Sequence, residues 1–303
     1  MPRPEHNLAA EAEHRIRIRR RRAGAAALLT VVSILVLASL LGSHHATGTP
    51  SASARSGRTS TPLAQATGRH PSKPTLSNRQ AVNAVLAYTP FVRDGAARGR
   101  DVALTFDDGP GPYTPQVLSV LERFHVRATF FVIGEMLRYF SASVVREIRD
   151  GDVIGDHTET HPQLAKLSAH DQYEQLFEQI ARIELLDGPR PRLFRPPYGS
   201  FDATTMRELH HLRLLMVLWS ADTDDYLRPG VATIVQRALA AAHPGSIILM
   251  HDAGGDRTET IEALPSIIRG LRARGLNIVT VPELLAEDPP PAGEPLPPNL
   301  SGD

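Results

Sequence analysis

The chain has 303 residues, of which 42% are hydrophobic, with 33 basic and 33 acidic side chains and no cysteine. That length allows one or two domains, and the lack of Cys excludes a disulfide framework, a thiolate nucleophile and a thiolate metal site; any metal must be held by oxygen and imidazole. The zero net charge hides a split, because residues 1–22 carry seven Arg against three Glu, residues 43–80 five basic residues and no acid, and the remainder 21 basic against 30 acidic residues. An acidic folded part argues against a nucleic-acid partner.

Residues 23–42 (AGAAALLTVVSILVLASLLG) carry no charge. As a helix they would span about 30 Å, the thickness of a bilayer core. Arg15, Arg17 and four consecutive Arg at 19–22 precede them, so the positive-inside bias puts residues 1–22 in the cytoplasm and everything after residue 42 outside. A cleaved signal peptide, which would leave the protein secreted, is the alternative, but its apolar region usually runs only about 7–15 residues. The length therefore favours a transmembrane signal anchor. Residues 43–80 contain 20 Ser, Thr, Pro or Gly and are predicted to be a flexible linker, since they can bury too little apolar surface to offset their ordering entropy. Residues 288–303 (DPPPAGEPLPPNLSGD) are predicted to be a Pro-rich extended or disordered tail. One folded catalytic domain, residues 81–287, remains.

Within it, apolar runs of strand character recur at residues 102–106 (VALTF), 128–133 (ATFFVI), 214–218 (LLMVL), 246–250 (SIILM) and 276–280 (LNIVT). Segments of helical periodicity lie between them at residues 115–124, 171–186, 231–242 and 258–273. The alternation implies an α/β fold with a parallel sheet wrapped by helices, closed like a barrel or left open and doubly wound. Polar residues fall at the strand ends: Asp107 and Asp108 after VALTF, Arg195 after a short LF segment, Asp222, Asp224 and Asp225 after LLMVL, and His251 after SIILM. The carboxyl-terminal mouth of a parallel barrel would gather them.

His157 and His161 in HTETH have an i, i+4 spacing that would set both imidazoles on one face of a helical turn. With Asp108 as carboxylate they would make a three-ligand site with an open position. Two His and one carboxylate also describe non-haem iron oxygenases, so the neighbouring groups must decide. A hydrolase needs a base and an acid, and Asp107 and His251 are the candidates.

These residues sit in five short motifs in order: TFDDG at 105–109, HTETH at 157–161, RPPY at 195–198, DTDDY at 222–226 and LMH at 249–251. On them, residues 98–285 resemble the polysaccharide deacetylase family, the NodB-homology or carbohydrate esterase family 4 domain. The resemblance implies a distorted (β/α) barrel with fewer than eight units. It also implies that Asp107 is the catalytic base, that Asp108, His157 and His161 are metal ligands, and that Arg195 orients Asp107. In the same way Tyr198 offers its backbone N–H to the oxyanion, Asp225 partners the catalytic acid His251, and Leu249 walls the acetyl methyl. The expected cofactor is one divalent ion, Zn2+ first, with Co2+ or another divalent ion able to substitute. The expected substrate is an N-acetylated cell-envelope polysaccharide, peptidoglycan before chitooligosaccharide; an O-acetyl ester, a non-sugar amide and a non-catalytic carbohydrate-binding role are the alternatives. Three positions depart from the family pattern. Tyr226 replaces the usual Trp in the substrate groove, Asp156 a common Asn, and Asp152 a frequent His.

Overall fold

In the computed structural model, the described residues are 76–300. The predicted cytoplasmic segment, the membrane span at 23–42 and the linker up to residue 75 lie outside them. Among the described residues no helix is long and apolar enough to cross a membrane.

Helix α1 (Asn78–Leu86) opens the fold behind a capping box: the Ser77 side chain accepts from the Gln80 N–H, and the Gln80 side chain accepts from the Ser77 N–H. Helix α1 starts inside the segment expected to be linker, and Ala81, Val82 and Val85 give it an apolar face to bury. Then follow β1 (Phe91–Val92), β2 (Asp101–Asp107), α2 (Thr114–Phe124), β3 (Thr129–Val132), α3 (Leu137–Asp150), β4 (Val153–Asp156) and α4 (Ala169–Leu185). The second half comprises β5 (Leu193–Phe194), α5 (Ala203–Leu212), β6 (Leu215–Val217), β7 (Ala221–Asp222), α6 (Val231–Ala241), β8 (Ile247–His251), α7 (Thr258–Ala273), β9 (Asn277–Val279) and α8 (Val281–Glu287).

The strands pair in parallel in the order β1-β6-β5-β4-β3-β2-β8-β7, with β9 alongside the start of β2. Strands β6 and β7 belong to one stave. Its first part pairs with β5 and β1, its last part pairs with β8, and between them the Leu218 N–H donates to Val92 O and the Ser220 N–H to Ile247 O. That shared stave closes the sheet into a distorted parallel barrel.

Strand side chains alternate between two environments, as a period of two requires. Val102, Leu104, Phe106, Ile248 and Met250 pack outward under α2, α6 and α7. Ala103, Phe131, Leu193, Leu215, Val217 and Ile247 face inward and meet α1 and α8, which close the amino-terminal end of the barrel. The same alternation points Thr105, Asp107, Leu249 and His251 toward the interior and the carboxyl-terminal mouth.

Residues 288–300 form no regular element, but they are bound to the domain. The buried Asp288 carboxylate accepts from the Arg98 and Gly99 N–H groups, Pro290 O accepts from Tyr88 Oη, and the Leu300 N–H donates to Gly199 O.

Glu147 on α3 is fully buried, and neither carboxyl oxygen has a hydrogen-bond partner among the described residues. Burial first, then the charges of Asp252 and Asp152, push its pKa well above the usual carboxylate value. A raised folded-state pKa favours the fold while the group is protonated in both states. That contribution is lost as pH rises from the unfolded value through the folded one. Glu147→Gln is therefore expected to raise the melting temperature at neutral pH, with the gain vanishing below about pH 4, where both states of the parent chain bind the proton. Melting curves of the two proteins between pH 4 and 8 check this, and a gain independent of pH would refute it.

Candidate active site

Strand β2 ends on Asp107, and β5 runs directly into Arg195. The Arg195 side chain is fully buried, crossing the barrel with its donors assigned: Nε to Val217 O (3.0 Å), Nη1 to Thr105 Oγ1 and Asp107 Oδ1 (both 2.8 Å), and Nη2 to Leu218 O (3.1 Å). Its guanidinium lies 4.3 Å from the Phe131 ring centroid, a cation–π contact. Asp107 Oδ1 is thus held, which leaves Oδ2 facing the mouth 3.8 Å from His157 Nε2.

The next residue, Asp108, takes a left-handed conformation (φ 72°) that turns its carboxylate to the same point. Its Oδ1 lies 3.6 Å from His157 Nε2 and 3.1 Å from His161 Nε2. Burial opposes its ionisation, but hydrogen bonds from His157 and His161, with the charge of His251, hold the carboxyl well below its usual range. Gly254 passes directly over Asp108. A Cβ at Gly254 would come within 2.3 Å of Asp108 Oδ2, and its φ of 72° also favours glycine.

HTETH is not the helical turn its spacing predicts. It is a loop after β4, in which Thr158 and His161 are left-handed (φ 68° and 60°). The loop is fixed by the Thr158 N–H donating to Asp156 Oδ1 (2.7 Å) and the His161 N–H to Thr158 Oγ1 (3.0 Å). Left-handed residues reverse the chain and bring together imidazoles that a helix would have stacked. His157 Nδ1 donates to Arg195 O at 2.7 Å, which leaves Nε2 as the ring nitrogen that faces Asp108. His161 Nδ1 pairs with Tyr198 Oη at 3.1 Å.

One ligand atom from each of Asp108, His157 and His161 lies within 4.8 Å of the other two. Ligands at the roughly 2.0–2.2 Å of a tetrahedral zinc site would stand about 3.3–3.6 Å apart. The separations of 3.1 and 3.6 Å fall close to that range, and each imidazole has its second nitrogen bonded, as metal-binding His usually does. The residues fit a divalent cation.

Across the mouth, His251 ends β8. Its Nδ1 meets Asp225 Oδ1 at 2.7 Å and its N–H donates to Asp225 Oδ2 at 2.9 Å. Burial would lower its pKa, but the hydrogen bond and charge of Asp225, joined by Asp108 and Asp107, outweigh it and raise the value to about 9. Leu249 lies two residues earlier on the same inward face and is buried; Tyr226 stands edge-on to His251 (centroids 5.4 Å) and is half exposed. Tyr198 is left-handed (φ 58°) and exposed at the rim. Every residue singled out as catalytic, substrate-binding or metal-ligating therefore reaches one mouth.

Several members were not anticipated. Thr105 accepts from Arg195 and donates to Ile248 O (2.8 Å), Thr260 Oγ1 donates to Asp225 Oδ2 (2.7 Å), and the buried Arg257 donates to Ala253 O, Gly254 O and Asp225 O. The alternation in VALTFD, with Thr and Asp on the face opposite Val, Leu and Phe, was a signal for Thr105. Nothing local marks Thr260, which arrives from helix α7. Of the departures, Asp152 does not adjoin the site: it precedes β4 at the far end of that strand and accepts from the Ala128 N–H. Asp156 is fully buried, and burial pushes its pKa well above the usual value, so it brings less charge to the site than its formula suggests.

Comparison with known proteins agrees with this geometry. A family model for polysaccharide deacetylase matches residues 94–217. The chain is 37% identical over 196 residues to a peptidoglycan-N-acetylglucosamine deacetylase of Bacillus cereus, covering 64% of this chain and 71% of that one. It is 36% identical over 198 residues to a chitooligosaccharide deacetylase of Bradyrhizobium, covering 61% and 90%. Among solved structures, the Bc1960 peptidoglycan N-acetylglucosamine deacetylase superposes with a TM-score of 0.63 at 35% identity, covering 66% of this chain and 94% of that one. BA3943 of Bacillus anthracis, a CE4 family pseudoenzyme, superposes with a TM-score of 0.62 at 30% identity, covering 66% and 70%. A pseudoenzyme this similar means that fold alone does not decide turnover; the side chains must.

Calorimetric titration of the protein with Zn2+ after chelation is expected to find one tight site per chain. His157→Ala or His161→Ala should weaken it by more than the roughly 10- to 100-fold that loss of a supporting hydrogen bond costs. Unchanged affinity in both variants would rule out the three residues as the ligand set.

Proposed function

Because the chain belongs to the polysaccharide deacetylase family, we propose that it hydrolyses N-acetyl groups on glucosamine-type units of a cell-envelope polymer, peptidoglycan first and chitooligosaccharide second, releasing acetate. The observation that carries this reading is an opposition across one mouth. Asp107 is dressed by a buried cation, Arg195, while His251 is dressed by a buried anion, Asp225, and the Asp108–His157–His161 set lies beside them. That is the arrangement a base and an acid need if they are to act in the same turnover. The names of the Bacillus and Bradyrhizobium relatives support the substrate class.

A divalent cation on Asp108, His157 and His161, Zn2+ being suited by its Lewis acidity and lack of redox chemistry, would supply polarisation of the acetyl carbonyl and a lowered pKa for a nearby water. Asp107 takes the proton of the attacking water at Oδ2, since Oδ1 is engaged by Arg195. The Tyr198 N–H donates to the carbonyl oxygen as that atom gains charge. A preorganised donor of this kind contributes roughly 2.7–4 kcal/mol. His251, its Nδ1 held by Asp225, gives the Nε2 proton to the amide nitrogen as the C–N bond breaks, leaving a free amine and acetate. Leu249 walls the acetyl methyl, and Tyr226 offers the sugar a ring edged by a hydroxyl.

We further propose that the catalytic unit works outside the cytoplasm, held by residues 23–42 as a membrane anchor. The motive is the twenty-residue uncharged run behind a cluster of Arg.

Acetate release from N-acetylated peptidoglycan and chitooligosaccharide, set against O-acetylated polymer, tests the reaction; release from the O-acetylated polymer alone would replace the amidase reading with an esterase one. His251→Ala is expected to slow the amide reaction by about 100-fold or more, the usual scale of general acid catalysis. It should slow an activated aryl ester far less, because that leaving group departs without a proton. On the amide, activity should fall at high pH as His251 loses its proton, with the midpoint above the ordinary imidazole value of 6.5. Asp225→Asn should move that midpoint down. Equal losses on amide and ester would remove His251 as the acid.

A further inference from the structure

The turn that carries Tyr198 is strained and exposed. Tyr198 and Gly199 are successive left-handed residues (φ 58° and 67°), and Tyr198 has 57% of its surface exposed. A left-handed non-glycine residue costs of order 1–3 kcal/mol and persists only where neighbouring structure holds it. Within the loop, the Gly199 N–H donates to Pro196 O and the Ser200 N–H to Pro197 O, while Ser200 Oγ accepts from the Ala165 N–H. The remaining backbone restraints come from the other end of the chain. The Leu300 N–H donates to Gly199 O at 3.1 Å, and Asn299 Oδ1 accepts from the Phe201 N–H at 3.3 Å. The Leu300 side chain also seats on the turn itself, with its Cβ 2.6 Å from where a Cβ on Gly199 would stand. A glycine at this position is what allows that approach.

The segment that delivers Leu300 is built to hold a position. Asp288 is 1% exposed and anchored on Arg98 and Gly99 at the amino-terminal side of β2. Tyr88 Oη donates to Pro290 O, and Arg93 pairs with Glu294 at 3.8 Å. From Pro289 to Leu300 the sequence PPPAGEPLPPNL has proline at six of twelve positions. Proline confines the free segment to extended conformations, so docking it loses less entropy than docking an ordinary tail. At about 3.1 Å per residue it is long enough to climb from the base of the barrel to the mouth.

We propose that residues 288–300 are a strap that positions the oxyanion donor: by accepting the Leu300 N–H, the Gly199 carbonyl pins the outer side of the turn and fixes the direction of the Tyr198 N–H. The effect on rate rests on the deacetylase reading above; the effect on the turn does not. Leu300 is a positioning residue in this account and touches no substrate.

Leu300→Pro removes the N–H, whereas Leu300→Ala keeps it and trims only the side chain. Both are made in the full chain and compared by steady-state kinetics of acetate release and by hydrogen exchange of the peptide spanning residues 196–201. Leu300→Pro is expected to lower kcat by about 10-fold, a fraction of what losing a whole oxyanion donor costs, with KM within about twofold. It should also speed exchange at residues 198–200 alone, with Leu300→Ala close to the parent on both readouts. Unchanged kcat and exchange in Leu300→Pro would overturn the proposal. So would equal effects of the two variants, which would assign the role to side-chain packing, or faster exchange throughout the barrel, which would make the strap a general brace. A parent chain that releases no acetate from any N-acetylated polymer would instead defeat the deacetylase reading, and the exchange comparison would still decide whether the strap pins the turn.

Discussion

Arg195 carries a guanidinium at the centre of the barrel with no exposure to water, and its ion pair with Asp107 is the constraint around which the rest is arranged. Taking two charges out of water is expensive, and their attraction repays it only when every remaining donor finds a partner. Here two backbone carbonyls of the β6–β7 stave, one threonine and one carboxylate of β2 do so. The same bonds tie opposite walls of the barrel together. Removing one partner would leave a buried charge uncompensated, at a cost of about 3–5 kcal/mol. A hydrophobic pair of similar volume would serve the fold as well, but could not hold one oxygen of Asp107 and free the other.

From that pair outward the mouth alternates in charge. Arg195 faces Asp107, Asp108 faces two imidazoles, and Asp225 faces His251 with Thr260 behind it. The arrangement is bought with backbone strain. Asp108, Thr158, His161, Tyr198, Asp224 and Arg228 are all left-handed and all lie in loops at the carboxyl-terminal ends of strands. His125 and Arg213, left-handed too, merely terminate helices. Strain concentrated on one rim is what a site needs when several short loops must aim at a common point, and the hydrogen bonds that the Asp156, Thr158 and Ser200 side chains accept from backbone N–H groups are the local counterweights.

Much of this was legible in the sequence because a parallel barrel translates order along the chain into position at the mouth. The strand ends at Asp107, Arg195, Asp222 and His251 could be read from short apolar runs, and five motifs in order fixed the family. What could not be read depended on distant partners. Thr260 reaches Asp225 from a helix 35 residues on; α1, α5 and α8 are short and carry weak periodicity, while α3 is interrupted near its start, where Phe140 leaves helical geometry. The helical reading of HTETH failed for a different reason: i, i+4 spacing is equally available to a loop with two left-handed residues, and spacing alone does not report φ. Asp152, which departs from the family pattern, does not reach the site, because β4 separates it from His157 by its whole length.

For the Pro-rich segment, composition left two readings open, extended or disordered. Few apolar side chains and many prolines read as disorder when the question is whether a segment can form a core of its own. The relevant question for residues 288–300 is different, namely whether a stiff chain can lie on a core already built. Stiffness answers it favourably, because proline removes entropy from the free segment that docking would otherwise have to remove, so a few bonds at Asp288, Pro290, Glu294, Asn299 and Leu300 suffice. The same stiffness lets a restraint at the base of the barrel be felt at its mouth, beside the strained and exposed turn that carries Tyr198.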